Sequence, residues 1–263
     1  MSNPLISIIL PVYNCEKHIC DSINSVLKQN YHNFELIIIN DGSSDNTISE
    51  ILKFKDNRIK FINNKVNFGL QKTLNTGILA SAGKYIARID ADDSWLNKDK
   101  LKNQISFLES NQDYILIGTG AICINEEGKY LYKYLKPEND NEIRKTIIGY
   151  NCFIHSSVVF KKEAAISVGM YSENNQTKHA EDYDLWLKLG KIGKLYNLQS
   201  FDINYMINSE SISNRNRIEQ LKKTIQIANK YKYFYSKNIL INLTRNYIRL
   251  IMYGYLKINF LKS

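Results

Sequence analysis

Residues 85–93 read Tyr-Ile-Ala-Arg-Ile-Asp-Ala-Asp-Asp, a short apolar run that ends in three carboxylates. The run is typical of a buried β-strand, and Asp90 and Asp92 project to the same side of the extended segment after it. Hard divalent cations favour oxygen ligands of this kind, and a bound cation can in turn hold a diphosphate. A lone Asp-x-Asp is more often an acidic turn or a helix cap, so the surrounding sequence has to decide.

The sequence before this run alternates between strand patterns and helix patterns. Apolar strand runs lie at 5–10, 34–39 and 58–62, and helical periodicity lies at about 16–29, 45–52 and 70–80. This alternation predicts βαβ units and an α/β fold with a mostly parallel sheet. In such sheets the functional loops gather beyond the carboxyl ends of the strands.

The second half of the chain is more mixed. A helix, two short strands, a further strand and another helix are expected at about 100–108, 114–118, 121–125, 158–160 and 180–189. From about residue 217 the pattern is helical to the end of the sequence. No internal repeat and no low-complexity linker interrupts the chain.

Charge is distributed unevenly along the chain. The 263 residues carry a formal net charge of +9, whereas residues 215–263 alone hold 11 Lys/Arg against the single acid Glu219, which gives +10. A neutral body with a basic tail indicates a polyanionic partner, either a membrane surface or a nucleic acid. The four cysteines form no C-x-x-C pair and no run of 18 uncharged apolar residues occurs. We therefore expect neither zinc, nor disulfides, nor a transmembrane helix.

Two earlier strand ends carry side chains that suit a nucleotide. In Pro11-Val12-Tyr13-Asn14 the tyrosine ring can stack on a base, and Asn14 or Glu16 can bond the base edge or the ribose. In Asn40-Asp41-Gly42 the Asp41 carboxylate stands at a strand tip and is another candidate for base or ribose. Both stretches are also compatible with ordinary strand-ending turns.

A further stretch, Asn67-Phe68-Gly69-Leu70-Gln71-Lys72, opens the helix that precedes the acidic run. Gly69 begins this helix, whose N-terminus can face a phosphate group. Lys72 can add a positive charge at that end. The same position is equally suited to a solvated surface lysine.

Several segments, taken in order, resemble glycosyltransferase family 2, the inverting family with the GT-A fold. They are Ser7–Asn14, Glu35–Asp45, Asn67-x-Gly69, Ala82–Ile86 and Ile89–Asp93. The similarity covers roughly residues 4–205. It implies a GT-A, Rossmann-like α/β fold, a nucleotide-sugar donor that is usually UDP-linked, and Mn²⁺ or Mg²⁺ held at the Asp-x-Asp.

The resemblance also implies roles for the candidate residues. Asp92 and Asp90 are expected to hold the metal, and His155 to contact phosphate or complete the metal shell, unless it is a structural histidine. Contacts to the donor are expected from Pro11, Tyr13, Asn14, Glu16, Asp41, Asn67, Gly69, Lys72, Asp90 and Ala91.

Residues 181–186 read Glu-Asp-Tyr-Asp-Leu-Trp and resemble the Glu-Asp motif of the same family. The Asp of that motif, taken as the catalytic base in the family, corresponds to Asp182. Inverting transfer needs such a carboxylate, because the attacking acceptor hydroxyl must lose its proton. Glu181, Trp186 and His155 are expected around the acceptor. Asp182 alone also fits a helix N-terminal acid, and Trp186 a core residue.

The prediction is therefore a GT-A catalytic domain over 1–214, with a donor half at about 1–95 and an acceptor half at about 96–214. A basic amphipathic helical tail follows over 215–263. The expected reaction moves a hexosyl or N-acetylhexosaminyl group from a UDP-sugar to a growing surface glycan, such as lipopolysaccharide, capsule or a lipid-linked oligosaccharide.

The tail has three possible partners. Its apolar spacing, basic residues and tyrosines suit an anionic membrane surface, which predicts a cytoplasmic protein at the inner face of the membrane. Alternatively the tail packs on the catalytic domain, or on a second subunit in a homodimer.

Two other classes of protein stay open. A sugar-phosphate nucleotidylyltransferase also places carboxylates and a metal beside a nucleotide, but it favours a glycine-rich basic loop where this chain has Pro11-Val12-Tyr13-Asn14. A nucleic-acid-binding protein is the second. The basic tail of this chain has no recognisable nucleic-acid-binding motif, and the acidic loops of the body repel phosphates. We therefore expect no nucleic acid partner.

Overall fold

The computed structural model describes residues 3–208, 216–235 and 239–260. The first part of the chain alternates strands and helices as predicted. Its elements are β1 (Ile6–Val12), α1 (Ile19–Leu27), β2 (Phe34–Asp41), α2 (Thr47–Leu52), β3 (Ile59–Asn64), α3 (Leu70–Ala80), β4 (Tyr85–Arg88) and β5 (Ser94–Trp95). Every residue of β1, β2 and β4 is buried, which explains their continuous apolar runs.

The second part of the chain adds strands, helices and one 3₁₀ turn. Its elements are α4 (Lys100–Ser110), β6 (Tyr114–Ile124), β7 (Tyr130–Tyr134), α5 (Asp140–Thr146), the 3₁₀ turn (His155–Ser157), β8 (Val159–Lys161), α6 (Lys162–Ser167), α7 (Glu181–Gly190), β9 (Lys194–Met206), α8 (Arg217–Tyr235) and α9 (Ile239–Phe260). The long strand β9 was not predicted from the sequence.

One long strand, β6, replaces the two short strands predicted at 114–118 and 121–125. The glycines that separate those runs are packing residues rather than turn residues. A Cβ at Gly118 would lie 2.3 Å from Oδ1 of Asn197, and one at Gly120 would lie 2.5 Å from the Leu135 side chain. The strand therefore passes through both glycines, with a local irregularity in its register against β9.

The strands form one sheet in the order β3-β2-β1-β4-β8-β6-β9-β5, with β7 paired to β6. Of these nine strands, found in the described ranges, six run in the same direction: β1, β2, β3, β4, β6 and β9. The predicted mostly parallel α/β fold is thereby confirmed. The pairing of β1 with both β2 and β4 brings the loops after these three strands to the same edge of the sheet.

The basic tail packs on the body of the protein through α8. The phenol of Tyr231 donates a hydrogen bond to Asp184 at 3.1 Å, and that of Tyr235 donates to the Leu187 carbonyl at 2.5 Å. Ile227 and Ala228 join the same core cluster as α7. This helix therefore belongs to the body of the protein, and the predicted boundary at 214/215 lies outside the described residues.

No described helix is long and apolar enough to cross a membrane.

Replacing a core residue of α8 tests whether this helix belongs to the folded body. Tyr235 is 4% exposed, whereas Tyr233 on the same helix is 82% exposed. We expect Tyr235→Ala to lower the free energy of unfolding by about 3 kcal/mol, because it removes a buried ring and its hydrogen bond. Tyr233→Ala should change it by less than about 0.5 kcal/mol. Urea denaturation measures the free energy of unfolding of both variants. Equally small changes in the two variants would mean that α8 does not contribute to the folded core.

Candidate active site

The acidic loop begins with an ion pair between Arg88 and Asp90. Arg88 is the last residue of β4, it is 1% exposed, and both of its terminal nitrogens bond the Asp90 carboxylate. The hydroxyl of Ser156 accepts from the Asp90 backbone N–H at 3.0 Å and lies 3.1 Å from Asp90 Oδ2. Asp90 is therefore held firmly at the tip of the strand.

Asp93 fixes the other end of the loop. Its carboxylate is 2% exposed, accepts a hydrogen bond from the Ser156 hydroxyl and accepts another from the Met206 backbone N–H at 2.9 Å. Burial, with added repulsion from Asp92 and Asp90, raises the pKa of Asp93 well above its usual value. Asp93 thus braces the loop against the 3₁₀ turn and the end of β9.

Asp92 is the carboxylate of this loop that is left for a ligand. It is half-buried, and no side chain in the described ranges forms a hydrogen bond or an ion pair with it. Burial and then the Asp90 carboxylate raise the pKa of Asp92 to about 6, although Arg88 opposes this. The neighbouring Ala91 is buried, and its carbonyl accepts from Ser22 at 2.8 Å. A cation beside Asp92 relieves this unfavourable charge.

The acidic loop suits a metal ion that keeps water molecules in its coordination shell. No group of three or more His, Cys, Asp and Glu side chains placed to hold a metal occurs in the part of the chain that the structure describes. Mg²⁺ and Mn²⁺ need only one or two carboxylates, because water and substrate phosphate complete the shell. Asp92 fits this requirement, whereas Asp90 is engaged by Arg88.

His155 faces a different partner from the predicted one. Its Nε2 lies 2.9 Å from the hydroxyl of Tyr171. Burial and the nearby Arg88 charge lower the pKa of His155 well below its usual value, so the ring is neutral. A neutral imidazole is able to bind a metal, but Nε2 of this ring is already engaged by the tyrosine.

The side chains of Asn14 and Glu16 connect the loop after β1 to the loop after β2. Asn14 Oδ1 accepts from the Ser44 backbone N–H at 2.8 Å, and the Asn14 N–H donates to the Ser43 hydroxyl at 3.0 Å. Glu16 Oε2 accepts from the Asn46 N–H at 2.9 Å. In the structure these residues brace the two loops, and their predicted bonds to base or ribose stay a prediction.

Asp41, predicted to bond base or ribose, holds the backbone at the start of α3 in the structure. Its two carboxylate oxygens accept the backbone N–H groups of Phe68 and Gly69, each at 2.9 Å. The carboxylate therefore occupies the N-terminal end of α3, where a phosphate was expected. Asn67 Oδ1 also accepts from Gly69 at 2.9 Å, and the Lys72 ammonium lies 4.2 Å from the centre of the Phe68 ring.

Three further features belong to the predicted donor side: the exposed Tyr13, the buried Pro11 and the closely packed backbone at Gly42. Tyr13 is 52% exposed at the end of β1, whereas Pro11 is buried within the strand. Gly42 has a φ of +76°, and a Cβ there would lie 2.6 Å from the Val66 carbonyl carbon. Only glycine at position 42 allows the loop after β2 to approach the backbone of Val66 so closely.

The acidic pair predicted to lie on the acceptor side is at the first turn of α7. Asp182 Oδ2 accepts from the Asn151 side chain at 2.6 Å, and Oδ1 accepts from the Tyr183 N–H at 2.7 Å. Burial raises the pKa of Asp182, although these hydrogen bonds and Arg88 oppose the effect. Burial and then Asp182 raise the pKa of the adjacent Glu181 to about 7.

Arg88 links the two acidic groups and was missed in the sequence. Its charge lowers the pKa of Asp182 and of Glu181 as well as pairing with Asp90. Its buried Nε has no hydrogen-bond partner in the ranges that the structure covers. The available signal was an arginine within an otherwise apolar strand, directly before Asp-x-Asp. A buried cation in that position needs carboxylates on more than one side.

Comparison with known proteins identifies the family. The family model described as "Glycosyl transferase family 2" matches residues 7–169. The chain belongs to glycosyltransferase family 2. It is 34% identical over 225 residues to the Escherichia coli protein named UDP-Glc:alpha-D-GlcNAc-diphosphoundecaprenol beta-1,3-glucosyltransferase WfgD, covering 85% of each chain. It is 35% identical over 213 residues to the O-antigen biosynthesis glycosyltransferase WbnJ of Escherichia coli, covering 79% of this chain and 81% of that one.

Among solved structures, the fold is similar to that of the mannosyltransferase PcManGT from Pyrobaculum calidifontis in complex with GDP-Man and Mn²⁺. The TM-score is 0.67 at 16% sequence identity, with 97% of this chain and 76% of that chain covered. This likeness concerns the fold, and it agrees with the GT-A architecture expected for a family 2 glycosyltransferase.

In this glycosyltransferase, Trp186 lies in the core rather than beside the acceptor. It is fully buried, and its ring centre lies 5.8–6.0 Å from those of Phe153, His155 and Phe160. Trp186 is on α7, four residues after Asp182, so it anchors the helix that carries the acidic pair. A direct contact with the acceptor, as predicted from the sequence, is incompatible with this position.

Removing each aspartate separately tests the division of roles within the acidic loop. We expect Asp93→Ala to lower the free energy of unfolding by about 1–3 kcal/mol, because buried groups of Ser156 and Met206 lose their acceptor. Asp92→Ala, which removes no side-chain partner, should change it by less than about 0.5 kcal/mol. Urea denaturation of both variants without metal gives the comparison. A larger loss for Asp92→Ala than for Asp93→Ala would contradict these roles.

Proposed function

We propose that this glycosyltransferase moves one sugar from a UDP-sugar to a glycan acceptor with inversion at the anomeric carbon. The observation that carries the proposal is the pair of differently held carboxylates. Asp92 lacks a side-chain partner within the described ranges, while Asp182 is fixed by Asn151 and by the start of α7. Arg88 lies within electrostatic reach of both acidic groups.

Asp182 is the proposed general base. Its oxygen takes the proton of the acceptor hydroxyl while the acceptor oxygen forms a bond to the anomeric carbon. The bond from that carbon to the diphosphate oxygen breaks on the opposite face, and UDP leaves with the electron pair. A raised pKa makes Asp182 a stronger base than an ordinary aspartate. The Asn151 hydrogen bond keeps the carboxylate in one orientation.

Asp92 is the proposed protein ligand of Mn²⁺ or Mg²⁺, with Asp90 as a neighbouring charge rather than a free ligand. When bound, such an ion offsets the negative charge that develops on the leaving diphosphate. Arg88 orients Asp90, and Asp93 holds the loop in place through Ser156. His155 is a weaker candidate for the metal because Tyr171 already contacts its Nε2.

The donor nucleotide is proposed to lie against the loops after β1 and β2. Tyr13 is exposed and is the proposed stacking partner of the base. Asn14, Glu16 and Asp41 are proposed to act indirectly, since each holds a loop backbone in place. A UDP donor is supported by the relative named for UDP-Glc, and the sugar is a hexosyl or N-acetylhexosaminyl group.

The acceptor is proposed to be a lipid-linked precursor of a surface glycan. Two relatives support this class, one named for a GlcNAc-diphosphoundecaprenol acceptor and one for O-antigen biosynthesis. Lys136 lies near Asp182, and its ammonium donates to the Asn151 carbonyl at 2.8 Å. It therefore offers a positive charge on the acceptor side. An acceptor of this kind is held in a membrane, which favours a peripheral position at its inner face.

A donor screen with two variants tests the reaction. UDP-Glc, UDP-Gal, UDP-GlcNAc and UDP-GalNAc are each incubated with the enzyme and Mn²⁺, and UDP release is measured. We expect release from one of them to depend on Mn²⁺. Asp92→Ala should lose Mn²⁺-dependent UDP binding. Asp182→Asn should bind UDP within about twofold of wild type but lose about 10²–10⁴-fold in transfer rate, the usual contribution of a general base.

Three results would contradict this proposal. Transfer at the full rate by Asp182→Asn would exclude Asp182 as the base. An increase of UDP binding by Mn²⁺ in Asp92→Ala as large as in the wild type would exclude Asp92 as the metal ligand. Release of pyrophosphate from a nucleoside triphosphate, without release of UDP from any UDP-sugar, would favour a nucleotidylyltransferase.

The pH dependence of transfer reports on Asp182. Since the base acts when ionised and its folded pKa is raised, the rate should fall as the pH drops through that raised pKa. The acid limb should therefore lie above that of an ordinary aspartate. Asn151→Ala removes a hydrogen bond that lowers the pKa, so it should move the acid limb to higher pH. Rates measured across the pH range distinguish this from a uniform loss, which would indicate a structural role alone.

A further inference from the structure

Helix α9 is attached to the body by its polar side. The side-chain amides of Asn242 and Asn246 donate to the carbonyls of Lys145 and Ile148, at 2.7 and 2.8 Å. The guanidinium of Arg249 donates to the Gly149 carbonyl at 3.2 Å. The spacing of 242, 246 and 249 places the three side chains on one face of a helix. Asn242 and Asn246 are almost completely buried.

Leu243 of α9 packs against the core of the body, but four other apolar side chains of this helix are exposed. Ile248, Ile251 and Met252 are 50%, 70% and 58% exposed. Ile241, two helical turns before Ile248, is 67% exposed. A surface helix ordinarily buries its apolar stripe and exposes its polar one. On α9 a second stripe, made of four apolar side chains, is left exposed. An outward apolar stripe on a single helix marks an interaction surface, because isolated exposed apolar residues do not line up in this way.

The charge of the region indicates the nature of the partner. Arg245 is exposed and lies one turn from both Ile241 and Ile248. Residues 215–263 carry +10 against −1 for the rest of the chain. An anionic bilayer takes both features, since isoleucines enter the acyl boundary while the arginine reaches the phosphates. A second copy of the chain would instead bring two strongly basic tails together, with each Arg245 near its symmetry mate.

The position of α9 relative to the acidic pair supports the same partner. Its Arg249 holds the Gly149 carbonyl and lies 5.7 Å from the centre of the Tyr150 ring. The next residue, Asn151, binds Asp182. The exposed stripe is thus carried by the helix that supports the acceptor side of the site. This last point rests on the proposed function, whereas the lipid contact itself does not.

We propose that the outward face of α9, made of Ile241, Arg245, Ile248, Ile251 and Met252, lies in the interface of an anionic membrane. The polar contacts of Asn242, Asn246 and Arg249 keep the helix parallel to the body surface, so it rests on the bilayer and does not cross it.

Vesicle binding by the full chain, without donor or acceptor, tests this face. Sedimentation with vesicles of phosphatidylcholine and phosphatidylglycerol is compared with pure phosphatidylcholine. The double variant Ile248→Gln/Ile251→Gln should bind the anionic vesicles about tenfold or more weakly, because it removes most of the apolar contact. The matched control Leu79→Gln/Ile192→Gln, at sites 65% and 53% exposed elsewhere on the surface, should bind within about twofold of wild type.

Two results would overturn the proposal. The first is equal binding of the α9 variant and the control variant. The second is a dimer in sedimentation equilibrium that the α9 variant loses while its vesicle binding is unchanged, because the stripe would then serve a second copy. Arg245→Glu should weaken binding to anionic vesicles and leave binding to neutral ones unchanged. Because no donor is present, these results are independent of whether the transfer reaction is as proposed.

Discussion

A buried guanidinium stands between the two acidic groups of this glycosyltransferase. Arg88 pairs with Asp90 at the tip of β4, and its charge also acts on Asp182 and Glu181 at the start of α7. Removing a charge of this kind from water is costly, and a well-placed carboxylate is needed to offset the cost. The acidic loop is thus held directly by Arg88, and the acidic residues at the start of α7 are affected by the same charge.

The three carboxylates of the acidic loop differ in their hydrogen-bond partners because their surroundings differ. Asp90 is occupied by Arg88, Asp93 by Ser156 and Met206, and Asp92 alone keeps its oxygens available among the described side chains. Chemically identical residues thus acquire one orienting, one bracing and one ligand-binding role. The same reasoning applies to Asp41, whose carboxylate holds the Phe68–Gly69 backbone.

The C-terminal helices are part of the same arrangement. Tyr231 of α8 bonds Asp184 in the helix that carries Asp182, and α9 bonds the carbonyls just before Asn151. Each contact therefore bears on the acceptor side of the site. The same helix leaves Ile241, Ile248, Ile251 and Met252 exposed. If these side chains enter a bilayer as proposed, membrane attachment and support of the Asp182 region belong to one structural unit.

The sequence by itself determined the family, the parallel α/β core and the candidate carboxylates. Buried strands, helix periodicity and short motifs are local patterns, and each is readable within a few residues. Only the tertiary structure decided which side chain meets which. Asn14, Glu16 and Asp41 bond loop backbones, Trp186 lies in the core and α9 bonds the body through two asparagines. All these contacts depend on partners distant in the chain. The sequence shows that a carboxylate follows a strand, because this is a local pattern. Which group that carboxylate bonds is decided by the packing of distant parts of the chain.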